Sequence, residues 1–150
     1  MSLVTLIASA LMREFTLAKH RGAYPSHHLN PQDLLNFVEF DVFTSHWSRL
    51  ELADEDLAAL QILIMANPTG PPVIRGTGGV RKMRFASMAA TRGKSGGLRV
   101  CYVYFKKYGL VLLATVYAKN EESDLTAAQR RAMAKTVDEI EKYLKERYGF

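Results

Sequence analysis

From Leu57 to Asn120 the chain contains no Asp or Glu, while the same 64 residues hold ten cations: Arg75, Arg81, Lys82, Arg84, Arg92, Lys94, Arg99, Lys106, Lys107 and Lys119. The whole chain carries a net charge of +5, so everything outside this segment sums to −5. Cations without local acids repel one another, and a compact fold accommodates them in two ways. They can spread over a solvated face, or they can gather where a polyanion supplies the missing charge. The second arrangement points to nucleic acid.

The remaining bounds are broad. A chain of 150 residues fits one domain, and 48% hydrophobic with 23% charged residues is ordinary for a globular fold. Cys101 is the single cysteine, which excludes an internal disulfide and a CxxC zinc site. His20, His27, His28 and His46 make no metal-ligand spacing with acids or cysteine, so no metal and no cofactor is expected, and the histidines read as loop residues. The apolar run Leu3 to Met12 is half of the ~20 residues that span a bilayer, and no basic residue precedes it. Neither a membrane anchor nor an export signal is expected, and a reducing cytoplasm is the expected compartment.

Residues 1–35 read as an extension. Leu3 to Ala18 has helical propensity, and HRGAYPSHHLNPQD has the composition of a linker. It is either an added helix or the product of an upstream start codon. Residues 36–150 read as the domain proper. The alternation in FVEFDVF predicts a strand through Phe43, followed by a turn around Trp47. Asp54, Glu55 and Asp56 suit the first turn of a helix, with Leu57, Leu60, Leu63 and Ile64 on one face and Asn67-Pro68 at its end. Strands are predicted over Arg81 to Ala86, Leu98 to Phe105 and Leu110 to Ala118, with Lys107-Tyr108-Gly109 closing the second connection. A last helix from about Leu125 to Arg147 begins with Thr126 and Gln129 in capping-box spacing and carries a Met133, Val137, Ile140, Leu144 stripe. Strands grouped in succession between helices make this α+β, not α/β.

Within the first of those strands, alternation sends Lys82 and Arg84 to one face and Met83 and Phe85 to the other. Arg99 opens the next strand, and Tyr117 and Lys119 share a face at the end of the last. Cations carried on a sheet, not on a tail, suit pre-organised recognition of a phosphate. Cys101, between Val100 and Tyr102, reads as a buried small hydrophobe, and the GTGG and SGG glycines read as turn residues, since no GxxxxGK[ST] is present.

The strings GTGGVRKMRFA, GKSGGLRVCYVYF and LLATVYAKNEESDLTAAQRRAM, taken together, resemble the RelE/HigB family of toxins from bacterial type II toxin–antitoxin modules, particularly its phage-like HigB branch. The likeness runs from roughly Phe37 to Lys145. It implies a small antiparallel sheet with two helices on its N-terminal side and a C-terminal helix. It also implies a ribosome-dependent endoribonuclease that cuts messenger RNA in the ribosomal A site. The partners implied are that messenger, a cognate antitoxin protein that neutralises the enzyme, and operator DNA through the antitoxin alone. On this resemblance Lys82, Arg84, Arg99 and Lys119 are the catalytic candidates, and Arg81, Lys94 and Tyr117 would bind substrate. The chemistry implied is attack of a ribose 2′-hydroxyl on the adjacent phosphate, without a metal. A lysine crowded by cations sheds its proton more readily and can accept that of the 2′-hydroxyl, while arginines hold the charge of the phosphorane through forked donors. The donor that protonates the leaving 5′-oxygen stays open among Lys94, Lys119 and a ribosomal group. A different class, a non-catalytic module that holds RNA, DNA or an acidic protein with the same cations, fits the charge pattern too, as does a structural subunit with an incidental basic face.

Overall fold

In the computed structural model, which describes residues 35–87, 97–121 and 123–149, seven regular elements form an α+β fold. They are β1 (Asn36–Glu39), α1 (Asp41–Arg49), α2 (Asp54–Ala66), β2 (Arg81–Phe85), β3 (Leu98–Phe105), β4 (Leu110–Ala118) and α3 (Ala127–Tyr148). The helix and linker expected before residue 35 lie outside the described residues, as does Lys94. The sheet order is β1-β4-β3-β2. The three-strand meander expected from the sequence is present and antiparallel, but β1 adds to it in parallel, Asn36 opposite Leu110 through Glu39 opposite Leu113. The sheet is therefore mixed, not antiparallel throughout.

Helices cover both sides of this sheet, which is why the strands read as apolar runs with few alternations. One face packs on α1 and α2 through Phe37, Val100, Tyr102, Val111, Val116 and Phe85 against Phe43, Trp47, Leu57, Leu60 and Ile64. The other receives α3, whose Val137, Ile140 and Leu144 meet Val38, Val103, Phe105, Leu110 and Leu112. No helix among the described residues is long and apolar enough to cross a membrane.

The strand expected through Phe43 stops at Glu39, and Asp41 begins a helix. Phe43 and Trp47 explain the switch. Four residues apart, they lie on one helical stripe, and both are buried with ring centroids 5.4 Å apart. Asp41 in the first turn suits the positive end of the helix dipole. The turn expected around Trp47 is thus the body of α1. In α2 the helical period runs through Leu57, Leu60, Gln61 and Ile64, all buried, and it turns Leu63 outward at 52% exposure instead of seating it in the core.

Local chemistry closes the other elements. The amide of Gln129 donates to Thr126 Oγ1 at 3.1 Å and the amide of Thr126 to Gln129 Oε1 at 2.8 Å, a reciprocal cap at the head of α3. Gly109, at φ +57°, makes the turn between β3 and β4. Gly78, at φ +76°, lets the loop before β2 approach α3 so closely that a Cβ there would meet Ala134 Cα at 3.1 Å. The GTGG glycines therefore serve turns and packing.

Candidate functional site

Residues directly opposite one another on neighbouring strands share a face, so register decides which side chains meet. Arg84 pairs with Arg99, and Arg99 with Tyr117. In the adjoining row Lys82 pairs with Cys101, and Cys101 with Thr115. Both rows lie on the α3 side, since Cys101 belongs to the core beneath α3 while Met83, Phe85 and Val100 join the opposite core. Adjacent strands are about 4.8 Å apart, so each three-residue row crosses about 10 Å of sheet.

Tyr117 reaches this face because β4 carries a bulge. The register steps from Cys101 opposite Thr115 to Tyr102 opposite Leu113, leaving Ala114 as the extra residue. Leu112 packs beneath α3, and uninterrupted alternation from it would have pointed Tyr117 to the other side. The bulge shifts the parity, sending Val116 into the α1/α2 core and Tyr117 to the row with Arg99.

The arginine pair is the physical peculiarity of the site. Like charges directly opposite on a sheet cost roughly 0.2–1 kcal/mol, and one of these two is 6% exposed. Arg99 Nη1 donates to the Leu98 carbonyl at 3.2 Å, so part of its hydrogen-bonding capacity is met within its own strand. Arg84 is exposed, whereas Lys82 and Tyr117 are half-buried.

The other residues named from sequence fall elsewhere. Arg81 lies on the α1/α2 side opposite Tyr102, away from Lys82, Arg84 and Arg99. Its Nη1 donates to the carbonyls of Thr69 at 2.8 Å and Pro71 at 2.7 Å, bracing the connection from α2 to β2. The Tyr102 hydroxyl donates to the Pro68 carbonyl at 2.8 Å in the same place. Burial pushes the Tyr102 pKa up to about 12, against the opposing pull of Arg81. Lys119 is exposed and opens the 3-10 turn Lys119–Glu121 just past β4, its amide donating to the Gly97 carbonyl at 2.7 Å. Cys101 is buried at 5% exposure, as its neighbours predict.

A cleft of about 830 Å³ opens beside the rows, between the sheet, α1 and α3. Lys82, Cys101, Thr115 and Tyr117 contribute to its floor, and Val103, Leu112, Val137 and Ile140 continue it as apolar surface. Its rim includes Asp41, Glu121 and Asp124, with Glu121 Oε2 3.4 Å from Arg49 Nη2. Arg49 and Arg130 are interspersed with these acids, so the rim is of mixed charge.

One residue in the cleft was not expected there. β1 pairs with β4 only as far as Leu113, and α1 packs along the remaining edge. His46 of α1 places Nδ1 3.0 Å from the Val116 carbonyl, with Thr115 Oγ1 3.4 Å from the same nitrogen. It is thus a helix residue, not a loop residue, and a contact across 70 residues of sequence brings it to the end of the Lys82, Cys101, Thr115 row. No protein-family model matches the chain.

Proposed function

We propose that this chain is an endoribonuclease of the RelE/HigB toxin type, cutting messenger RNA on the ribosome and held inactive by a cognate antitoxin that covers or distorts the cationic sheet. The observation that carries the reading is the directly opposed pair Arg84 and Arg99, flanked on the same face by Lys82 and Tyr117. Two guanidinium groups fixed at strand spacing offer forked donors to the oxygens of one phosphate, and binding an anion relieves the repulsion that the sheet enforces. Both effects grow as charge accumulates on the phosphorane, which is what a catalytic arrangement needs and a solvated face does not.

In this reaction the ribose 2′-oxygen forms a bond to phosphorus and the bond from phosphorus to the 5′-oxygen breaks. The products are a 2′,3′-cyclic phosphate and a 5′-hydroxyl. Lys82, next to the arginine pair, accepts the 2′-hydroxyl proton. Arg84 and Arg99 hold the equatorial oxygens. The Tyr117 ring, in the row with Arg99, stacks on a base or orients the phosphate. The nucleophile belongs to the substrate, so the chemistry calls for no metal-activated water. Lys119, exposed two residues past Tyr117 at the end of β4, contributes charge to the messenger backbone. Arg81, engaged by two carbonyls on the other face, does not enter the mechanism.

Induction of the chain in a bacterium, with the new 5′ ends of messenger RNA mapped, tests the proposal. The expected result is growth arrest with cleavage in translated regions, 5′-hydroxyl ends, and loss of both in Arg84→Ala and Arg99→Ala. Association with ribosomes or RNA without any new ends would instead assign the same cations to a non-catalytic binding module.

A further inference from the structure

We infer that the connection between β3 and β4 and the last turn of α3 form a second contact for unpaired RNA, with Tyr108 and Tyr148 as a stacking surface and Lys106, Lys107 and Arg147 neutralising phosphates. The inference goes beyond the endoribonuclease reading and does not rest on it, since a binding module would use the same surface.

The argument begins with the way α3 ends. Its core-facing stripe runs through Val137, Ile140 and Leu144, all buried. At three- and four-residue spacing from Leu144 the next positions are Arg147 and Tyr148, and both are exposed, Tyr148 at 41%. The helix thus finishes its stripe with a cation and an aromatic ring, where continued burial would call for an apolar pair. Against this last turn lies the connection between β3 and β4, and the Tyr148 ring meets that of Tyr108 with centroids 6.2 Å apart and planes tilted by 48°. Tyr108 ends the 3-10 turn Lys106–Tyr108, in which three residues complete one turn, so Lys106 and Lys107 diverge from the ring and both are exposed. Burial pushes the Tyr143 pKa up while Arg147 pulls it down, which puts the guanidinium in electrostatic range of the same aromatic cluster.

Charge and exposure together select the ligand. Among the described residues Lys106, Lys107 and Arg147 form no ion pair. Of the acids near the end of α3, Glu146 lies on the side of the helix opposite the stripe, and Glu141 stands two turns before Tyr148. Cations that follow a phosphate backbone and rings on which any base can stack are the two parts that single-strand binders combine. A protein partner is favoured less, because the anchors of such an interface sit in a desolvated apolar patch. The other large exposed apolar residues, Val42, Leu63 and Val73, lie on α1, α2 and the connection before β2. The surface is also remote from the arginine pair. Seven residues of chain separate Arg99 from Lys106, about 20 Å along β3, and α3 packs on the sheet between them. It therefore takes a stretch of RNA other than the one held by Arg84 and Arg99.

Photocrosslinking tests this on the wild-type, full-length chain. A uridine-rich oligoribonucleotide carrying 5-iodouridine would be irradiated with the protein and the modified residues located by mass spectrometry. The expected result is adducts at Tyr148 or Tyr108. Adducts at neither overturn the inference, and adducts at Tyr117 alone overturn it while leaving the endoribonuclease reading standing. Affinity gives a second readout. In an Arg84→Ala, Arg99→Ala background, which disables the other site, Tyr148→Ser should weaken binding of the same strand ~5–100-fold in fluorescence anisotropy, and Tyr148→Phe should retain it. Lys106→Gln and Lys107→Gln should each lower the slope of log K against log salt by about 0.7. Equal affinity of Tyr148→Ser and Tyr148→Phe, with the slope unchanged by the lysine substitutions, overturns the inference. Tighter binding of polyglutamate than of RNA in that background would assign the surface to an acidic protein and overturn it as well.

Discussion

The two faces of the sheet differ in what they do with their strand residues. On the α1/α2 side every strand contributes to a closed aromatic and aliphatic core, in which Trp47 stacks between Phe43 at 5.4 Å and Phe85 at 6.0 Å. Even its cation is put to structural use, Arg81 donating to the carbonyls that link α2 to β2. On the α3 side the helix seals only part of the sheet. Beyond Val137 and Ile140 the strands present Lys82, Arg84, Arg99 and Tyr117, together with a cleft. The same sheet thus holds the fold together with one surface and sets two like charges, Arg84 and Arg99, directly opposite one another on the other. Proteins tolerate such local violations at functional sites, where a ligand compensates them.

Substitutions should separate the two surfaces cleanly, and the largest effect belongs to the closed one. Trp47→Ala empties the centre of the aromatic stack and should cost about 3–5 kcal/mol of unfolding free energy in urea, with cleavage falling only as folded protein is lost. Arg99→Ala should do the reverse. In the proposed reaction it removes a donor to the phosphorane, so cleavage should drop ~10²–10³-fold while the urea midpoint moves little. A fall in stability comparable with that of Trp47→Ala would make Arg99 a structural residue and erase the contrast. Third comes a pH effect at Tyr102, on the closed face. The Tyr102 pKa is about 12 in the fold against 10 in the unfolded chain, so the folded state binds more protons between those values. Stability is therefore full below pH 10 and declines as pH rises towards 12, and Tyr102→Phe should flatten that decline in thermal melts. The smallest effect sharpens the comparison most. Arg84→Thr relieves the opposed charge at Arg99 and should raise stability by roughly 0.2–1 kcal/mol while reducing cleavage, the trade expected of a residue kept for function.

Much of the fold was legible in the sequence because its signals are local. The meander and α3 follow from short periodic runs with their own turn and capping residues, Gly109 at one end of β4 and Thr126 with Gln129 at the head of α3. The stretch after Glu39 was misread because residues 37–43 satisfy a two-residue period. What decides for a helix is Trp47, four residues beyond Phe43 and outside that window. The parallel pairing of β1 with β4 spans more than 70 residues and leaves no local trace. At the site, the sequence alone gave Lys82 and Arg84 a common face. Arg81 was set beside them by adjacency in the chain, although the same alternation that joins Lys82 to Arg84 turns Arg81 away. Placing Tyr117 with Arg99 needed the Ala114 bulge, and finding His46 needed the packing of α1 along the edge of β4. Neither is a property of any short window.

Arg81 and Arg84, three residues apart on one strand, give the most direct measurement. Binding of a single-stranded oligoribonucleotide, followed by fluorescence anisotropy across a salt series at a temperature where every variant is folded, reports how many phosphates the protein neutralises. Each such contact contributes about 0.7 to the slope of log K against log salt for a single strand. Arg84→Ala should lower that slope by about this amount, and Arg81→Ala should leave it unchanged. A slope that falls with Arg81→Ala and not with Arg84→Ala would put the messenger on the opposite side of the sheet and contradict the account.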